Sequence, residues 1–467
     1  MRRLGLLLSL ALLAGSCSLT RPGRDACESH ADCRGAFGFG FACGDEGFCR
    51  AVEPHPRCPT TFPADLTSPA FADALVVGSV IDGSVETHLA RQRAVRLAFT
   101  EVRDLGGLDG REVGLVFCTN EVDPRIDDLS QTEATAEVAR YLEDELGVPV
   151  ILGPPSSDAT RAAFEATDEV LLISPSASSS TLTALEGDAS DADPGRLWRT
   201  VAPDALQARV IADDLEMRGV SRVAVIAQDG AYGTGLADEL EAAFGGEVER
   251  FGYDSASTRN AAATDAGASG AEEVLFFGSQ TSDVVAFVLF ADSFAGYADK
   301  EIFLSDSAAN RDFLTGASAA SGLFDRIRGT RPAAPEGIVF DAFVSAYAAE
   351  NMGANAEQFS FTAHAYDAAW IALLGATWAQ LQEGGALTPE TIARGMRMTS
   401  AGPPFDLRIS SYADITERFR LGESVDVRGA SGDLDFDPVS EETRAPVEVW
   451  RVAAGGGDIE GLYVVTP

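Results

Sequence analysis

The sequence contains a single lysine, Lys300, and only four histidines among its 467 residues. Lys300 does not follow the glycine-rich loop of a P-loop, which excludes a phosphate-binding site of that type. The histidines are His30, His55, His88 and His364, and their scattered positions lack the spacing of metal ligands. This scarcity argues against a metal site and against an enzyme with a histidine-activated nucleophile.

Catalytic and membrane-spanning patterns are also missing. The chain has no G-x-S-x-G elbow, no H-E-x-x-H zinc motif and no G-x-G-x-x-G sequence that opens a helix after a strand. No apolar run beyond the N-terminus approaches the ~20 residues of a membrane helix. The 72 acidic residues outnumber the 35 basic ones, and the formal net charge of −37 repels nucleic acid. We therefore expect a protein that is not an enzyme, uses no cofactor or metal and does not bind nucleic acid.

The first 17 residues have the pattern of a secretion signal. Arg2 and Arg3 precede the short apolar run Leu4–Ala14, and the tetrad that ends at Cys17 resembles the lipobox of bacterial lipoproteins. This pattern predicts that Cys17 is acylated, and that lipid alone attaches the protein to a membrane of the periplasm or cell envelope. Ser18 suggests the outer membrane. A plain signal peptide with an incidental cysteine is the alternative.

Six further cysteines predict three disulfides, because their number is even and a secreted protein meets oxidising conditions. Four of them form a C-x5-C-x9-C-x5-C cluster within residues 18–72, which we interpret as a small knob with two bridges followed by a linker. Zinc is the competing interpretation, but its ligands usually come as closer C-x2–4-C pairs. The last two are predicted to pair from parity and order alone. The six are Cys27, Cys33, Cys43, Cys49, Cys58 and Cys118.

From Ala74 onward, apolar strands alternate with amphipathic helices. The run Ala74–Ile81 is continuously apolar and β-branched, Leu89–Asp104 has helical spacing, and Val113–Cys118 is the next strand. The same alternation restarts near Leu206. Strands that alternate with helices of this length predict parallel sheets. We therefore expect an α/β chain with two doubly wound lobes.

Eight sequence segments carry a resemblance to a known family. They are LVVGSV at Leu75, GGLDGREVGLVF at Gly106, VPVILGPPSSDAT at Val148, LLISPSASSSTLT at Leu171, LWRTVAPDALQARVIADDL at Leu197, RVAVIAQDGAYGTGLADEL at Arg222, FLSDSAAN at Phe303 and AYDAAWIAL at Ala365. In this order, they resemble the leucine/isoleucine/valine-binding branch of the type I periplasmic binding proteins. The resemblance covers nearly all of Ala74–Val452.

The resemblance implies a chain that crosses three times between two lobes. The crossings fall near Thr200, near Gly322–Gly329 and near Gly432. Lobe one then holds residues 73–200 and 328–431, and lobe two holds residues 201–327 and 432–467. The cysteine-rich knob lies outside the family pattern.

Candidate ligand contacts from lobe one follow two of its predicted strands, because parallel sheets bind ligands at the carboxyl ends of their strands. Ser156 and Ser157 open a helix, so they can bind a carboxylate, cap the helix or do both. The resemblance implies that Ala177, Ser178 and Ser179 supply a carbonyl and a hydroxyl to the ligand's ammonium and carboxylate. A purely structural serine loop is the alternative for this second segment.

The resemblance also implies two ligand contacts from lobe two. Tyr232 matches a family tyrosine that covers the bound ligand, and packing on its own helix is the alternative. Asp306 matches the acid that pairs with the ligand ammonium in the receptor branch, and capping of the following helix is the alternative. The loop Asp254–Asn260 departs from the family, because it lacks the glutamate that branched-chain binders use for the amine.

These features predict a solute-binding lipoprotein that closes around a small ligand. The resemblance implies an amino acid or a related metabolite as the ligand and an ABC permease as the partner in uptake. A ligand-sensing surface lipoprotein that signals to another protein is the alternative. The sequence contains neither a transporter nor a signalling domain that would choose between the two.

Overall fold

A computed structural model describes residues 26–333 and 336–467 of the chain. The predicted signal peptide, Cys17 and Ser18 lie outside the described residues, so the predicted acylation stays a prediction. Within the described ranges, no helix combines the length and the apolar character needed to cross a membrane.

The cysteine-rich knob is a small unit with one helix and one hairpin. It consists of α1 (His30–Phe37), β1 (Phe41–Cys43) and β2 (Cys49–Ala51). Two disulfides cross it, Cys27–Cys43 and Cys33–Cys49, as the cysteine pattern predicts. The knob is fixed to lobe one, because Arg34 donates a hydrogen bond of 2.7 Å to the Gly147 carbonyl oxygen.

Lobe one is built on a six-stranded sheet in the order β3-β5-β4-β6-β7-β8. Neighbouring strands are parallel except β3 and β5, which are antiparallel. The strands β4 and β5 are buried on both faces, which explains their continuous apolar runs. The strands are β3 (Thr60–Phe62), β4 (Leu75–Val80), β5 (Val113–Cys118), β6 (Val150–Leu152), β7 (Leu171–Ser174) and β8 (Leu197–Arg199).

Lobe two is built on a seven-stranded sheet in the order β10-β9-β11-β12-β13-β16-β17. Its first five strands are parallel, and β16 and β17 add an antiparallel edge. A separate parallel pair, β14 and β15, lies in lobe one. These strands are β9 (Arg222–Gln228), β10 (Glu247–Tyr253), β11 (Glu273–Phe277), β12 (Glu301–Leu304), β13 (Ile327–Pro332), β14 (Pro404–Asp406), β15 (Asp426–Arg428), β16 (Val447–Val452) and β17 (Ile459–Val465).

Helices pack on both sheets, which confirms the predicted α/β fold with two lobes. The central helix α11 is buried along most of its length, and for that reason its sequence is apolar on nearly every face. It packs against α2 in the core of lobe one. The helices are α2 (Glu86–Asp104), α3 (Gln131–Arg140), α4 (Ser157–Ala166), α5 (Asp204–Met217), α6 (Ala231–Ala243), α7 (Ala256–Ala268), α8 (Thr281–Ser293), α9 (Arg311–Gly316), α10 (Ile338–Glu350), α11 (Thr362–Gln382), α12 (Pro389–Arg397) and α13 (Tyr412–Arg420).

Two of the predicted lobe boundaries differ from the structure. Residues 328–332 belong to β13 and pair with β12 and β16 in the sheet of lobe two, so the second crossing comes after Pro332 rather than before it. Leu434 and Phe436 are buried in the core of lobe one, so the third crossing comes well after Gly432. The predicted linker also contains a strand, β3, that pairs with β5.

The third predicted disulfide, Cys58–Cys118, is present and joins residues 60 apart in sequence. Replacing both Cys58 and Cys118 with serine is expected to lower the free energy of unfolding by about 2–4 kcal/mol, because the unfolded chain loses a long covalent loop. Equilibrium denaturation in urea measures this change. The control replaces Cys27 and Cys43, which close a loop of only 16 residues in the knob. An unchanged denaturation midpoint in the Cys58 and Cys118 variant would contradict the prediction.

Candidate ligand-binding site

A cavity of about 430 Å³ lies between the two lobes. It is at the carboxyl ends of the strands, and the N-terminal residues of α2, α4, α8 and α9 all contribute to its wall. Several helices therefore direct N–H groups and positive dipole ends toward it. Its volume lies within the range of small-molecule pockets, roughly 300–1,000 Å³. The arrangement suits a small ligand that contacts both lobes.

Four of the predicted contact residues line this cavity: Ser156, Ser157, Tyr232 and Asp306. Ser156 also caps α4, because its Oγ accepts a hydrogen bond of 3.4 Å from the backbone N–H of Ala159. The capping and cavity roles therefore coexist at Ser156. Asp306 does not cap α9, since that role is taken by Asn310.

The loop residues Ala177, Ser178 and Ser179 lie behind the cavity wall instead of lining it. The buried guanidinium of Arg199, on β8, donates hydrogen bonds to the carbonyl oxygens of Ala177 at 3.2 Å and Ser179 at 2.8 Å. These bonds hold the loop against lobe one. Ser176, just before this segment, lines the cavity.

The main cation of the cavity is Arg91, which the sequence analysis does not single out. Its side chain is only 7% exposed, and it donates hydrogen bonds of 3.2 Å to the Ser176 hydroxyl and to the Ser360 carbonyl oxygen. The guanidinium also lies over the ring of Phe361, at 5.0 Å from the centroid. Within the described part of the chain, no carboxylate oxygen lies within 4.0 Å of this guanidinium.

The Arg91 guanidinium is therefore buried without a direct ion pair to any described residue. Burial lowers the pKa of Arg91 to about 10, and the nearby carboxylate of Asp306 opposes that shift. The side chain remains charged at neutral pH. A buried charge without a partner is unfavourable by several kcal/mol, so an anionic ligand would relieve a cost that is already present.

Opposite Arg91, lobe two contributes Asp306, whose side chain is 5% exposed. The hydroxyl of Tyr232 donates a hydrogen bond to Asp306 Oδ1. Burial raises the pKa of Asp306, while the Tyr232 hydrogen bond and the Arg91 charge lower it. Tyr232 thus holds the carboxylate in place as well as lining the cavity.

Hydrogen bonds between the lobes surround the cavity. Thr87 donates to Asp312 Oδ2 at 2.8 Å, and Gln280 donates to the Gln131 side-chain oxygen at 3.2 Å. The Ser179 hydroxyl donates to the carbonyl oxygen of Ala231 at 2.6 Å. These bonds join lobe one to lobe two in a closed arrangement. In this arrangement Ser179 contacts the opposite lobe.

Asp204 is a second buried carboxyl close to the cavity, at the start of α5. Its side chain is fully buried, and neither carboxyl oxygen has a hydrogen-bond partner among the described residues. Burial raises the pKa of Asp204 to about 8, with a further contribution from the charge of Asp306, while Ser178 and Arg199 oppose the shift. We therefore expect Asp204 to be protonated in the folded protein at neutral pH.

The substitution Asp204→Asn is expected to make the protein more stable at neutral pH, by about 1–3 kcal/mol. The pKa of Asp204 is higher in the folded protein than in the unfolded chain. Between about pH 4 and about pH 8, the folded protein therefore still holds a proton that the unfolded chain has already released. Stability therefore falls as pH rises through this window, and asparagine removes that loss. Thermal unfolding at a series of pH values measures it, with Asp213→Asn, on the exposed face of α5, as the control. Parallel pH profiles for the parent and Asp204→Asn would contradict the prediction.

Some further cavity residues carry usable signals in the sequence. Ser279, Gln280 and Thr281 follow β11 and line the cavity, so the rule of strand carboxyl ends points to them as well. Arg91 lies among the apolar residues of α2, where a charged side chain is unusual. Phe361, with a left-handed backbone (φ 65°), has no sequence signal of this kind.

Comparison with known proteins agrees with this fold. A family model of periplasmic binding proteins matches residues 83–414. The chemotactic signal transduction system substrate-binding protein BasB of Halobacterium salinarum is 27% identical over 368 residues, which cover 75% of this chain and 79% of that protein. Its name describes substrate binding and not catalysis, in agreement with the expectation that this chain is not an enzyme.

Solved structures share the fold. The branched-chain amino acid transporter substrate-binding protein LivJ from Streptococcus pneumoniae, in complex with isoleucine, matches with a TM-score of 0.64 and 20% identity, over 84% of this chain and 100% of that one. A solute-binding protein of an R. palustris ABC transporter, in complex with 4-hydroxybenzoate, has a TM-score of 0.64 and 16% identity, over 84% and 97%. With the family match over residues 83–414, the two-lobed fold and the cavity between the lobes, the chain belongs to the periplasmic binding protein family.

Proposed function

We propose that this protein binds a small zwitterion, an amino acid or a related metabolite, between its lobes and delivers it to an ABC permease. The observation that carries the proposal is the pair of opposite charges in one cavity. Arg91 comes from lobe one and Asp306 from lobe two, and both are buried. A ligand that carries both an anion and a cation matches this pair.

In the proposed complex, the ligand carboxylate lies at Arg91 and at the N-terminus of α4. Ser156 and Ser157 line the cavity there, and the helix end favours an anion. The ligand ammonium lies at Asp306, beside Tyr232. This differs from the expectation based on the family, which uses the segment Ala177–Ser179, because that segment lies behind the wall.

The ligands of the related proteins support a carboxylate. The S. pneumoniae and R. palustris structures contain isoleucine and 4-hydroxybenzoate, and both compounds are carboxylic acids. Only the first of them also carries an ammonium group. The negative side chain of Asp306 in this cavity favours the zwitterion over the simple acid.

Ligand sensing is the second candidate function. The relative from Halobacterium salinarum is named as the substrate-binding protein of a chemotactic signal transduction system, which favours a signalling partner as the alternative to a permease. Both functions begin with ligand binding. They differ in which protein then recognises the closed, ligand-bound form. Cross-linking of the ligand-bound protein in its native membrane, followed by identification of the captured subunit, separates a permease from a receptor.

The proposed location is the cell envelope, with a lipid anchor at Cys17. Stable attachment requires two or more acyl chains, since one chain binds a membrane only marginally. Mass spectrometry of the N-terminal peptide of the native protein tests the anchor. A mature N-terminus without acylation, or one at a residue other than Cys17, would exclude it.

A thermal-shift screen with the proteinogenic amino acids, isoleucine among them, and with benzoates tests the binding function. A ligand at a hundred times its dissociation constant is expected to stabilise the folded protein by about 2.7 kcal/mol, which gives a clear shift in the unfolding temperature. The proposal requires a shift with at least one amino acid. A screen in which no amino acid shifts the unfolding temperature would overturn it.

A further inference from the structure

Most of the side chains that line the cavity belong to polar residues. Its apolar side chains are Val85, Pro155, Val285 and Phe361, together with the ring of Tyr232. All other lining side chains carry hydroxyl, amide, imidazole, guanidinium or carboxylate groups. Most ligand pockets are lined predominantly by apolar and aromatic side chains. The chemistry of this wall therefore carries information about the ligand.

An aliphatic ligand side chain would leave Asp312 Oδ1 without a donor, because Thr87 donates to Oδ2. Closing the lobes removes water from this end of the cavity, and an unpaired polar group in a dry site is unfavourable. A site that hydrogen-bonds a polar group of its ligand strongly rejects an analogue that lacks this group. An apolar pocket rejects an analogue that carries an additional polar group much more weakly. The wall thus disfavours branched-chain amino acids.

The acidic side chains of the wall indicate which polar groups the ligand side chain carries. Asp312 accepts a hydrogen bond from Thr87, and Thr87 precedes Arg91 by four residues on α2. These two positions are on the same face of the helix, about 6 Å apart along its axis. Asp312 therefore lies one helical turn from the guanidinium that would hold the ligand carboxylate. A side chain of a few atoms spans that distance.

At that end of the cavity, carboxylates accept hydrogen bonds and do not donate them. Glu86 also lines the cavity, but its side chain is 60% exposed and lies 3.8 Å from the Arg93 guanidinium, so the main acceptor at this end is Asp312. Among the described lining residues, Arg91 is the one arginine or lysine. An acidic ligand side chain would consequently meet like charge, whereas a side chain with N–H or O–H groups would meet acceptors.

We infer that the ligand is a small polar α-amino acid whose side chain donates hydrogen bonds toward Asp312, and not a branched-chain, acidic or aromatic acid. The inference rests on the proposed function, because it assumes that Arg91 and Asp306 hold the carboxylate and the ammonium. It differs from the ligands bound in the two similar solved structures, which are isoleucine and 4-hydroxybenzoate. It assigns the specificity to residues of this chain.

Isothermal titration of the mature protein with two matched pairs of amino acids tests the inference. Threonine and valine have the same shape and differ in a hydroxyl donor, and glutamine and glutamate differ in an amide donor. The donor-bearing member is expected to bind about tenfold or more tightly in at least one pair, and in neither pair is it expected to bind more weakly. Valine, glutamate, isoleucine or 4-hydroxybenzoate as the tightest ligand would overturn the inference.

The variant Asp312→Asn locates the specificity. The preference of this variant for glutamine over glutamate, measured by the ratio of their dissociation constants, is expected to be smaller than that of the parent. The reason is that asparagine removes the negative charge and supplies hydrogen-bond donors. The control is Asp325→Asn, an exposed change in lobe two that should leave the ratio unchanged. Thermal unfolding without ligand verifies that both variants fold, and a ratio unchanged in folded Asp312→Asn would contradict the role of Asp312.

Failure of the inference and failure of the proposed function give different results. If isoleucine binds tightly and Arg91→Met abolishes that binding, the carboxylate site is retained and the inference about the side chain is wrong. If no amino acid binds, the proposed function fails and the inference fails with it.

Discussion

Replacing Arg91 with methionine is expected to weaken the binding of the tightest amino acid by about 2–5 kcal/mol, or roughly 30- to 5,000-fold. The reason is that the ligand carboxylate loses its charge partner in a cavity that excludes water. Arg91 is 7% exposed, and within residues 26–333 and 336–467 it donates only to the neutral Ser176 and Ser360 oxygens, so its charge is free to pair with a ligand. Isothermal titration measures the loss.

The same substitution is expected to leave the ligand-free protein at least as stable as the parent. Methionine fills a similar volume, and replacing a buried charge by an apolar side chain is often neutral or stabilising. Lost binding with retained stability is the pattern that identifies a ligand contact. The control is Arg96→Met, on an exposed position of the same helix. If Arg96→Met lowers the affinity as much as Arg91→Met does, the assignment of Arg91 as a ligand contact is contradicted.

The second large effect is expected for Asp306→Asn, which should weaken an amino acid by about 2–5 kcal/mol, because the ligand ammonium is then buried without a negative partner. Asparagine keeps an oxygen that can accept the hydrogen bond from Tyr232. Burial already raises the pKa of Asp306, so loss of its charge should not destabilise the ligand-free protein. Titration of the variant and the parent with the same amino acid measures the effect.

A matched comparison separates the charge of Asp306 from its place in the fold. Asp299→Asn changes an exposed aspartate at the opposite end of β12 and should not affect binding. The desamino analogue of the ligand should bind the Asp306→Asn variant and the parent with similar affinity, since it has no ammonium to lose. Near-parent affinity of the variant for the amino acid would show that Asp306 does not contact the ammonium.

The fold could be predicted from local patterns because those patterns reflect local physics. A strand buried on both faces, such as β4, must be continuously apolar, and a helix on the sheet must repeat its apolar residues at helical spacing. The cavity residues Ser156 and Asp306 could be predicted because they lie in the short segments that follow the strands β6 and β12. The local sequence pattern is enough to predict where a strand ends.

Arg91 and the lobe boundaries could not be predicted in the same way, because they depend on distant contacts. The two oxygens bonded to Arg91 belong to residues 85 and 269 positions away, and only folding brings them to the guanidinium. Likewise, Phe436 belongs to lobe one because its ring meets the ring of Trp198, at 4.8 Å between centroids. Neither contact leaves a periodic trace in the sequence.

The most direct test of the central claim is isothermal titration of the parent protein with the tightest amino acid, its methyl ester and its desamino analogue. The ester removes the negative charge that Arg91 should bind, and the desamino compound removes the positive charge that Asp306 should bind. We predict that each analogue binds at least about 30-fold more weakly than the amino acid, as expected for the loss of a buried charge pair. Equal affinity for all three compounds would contradict the claim that this cavity recognises a zwitterion.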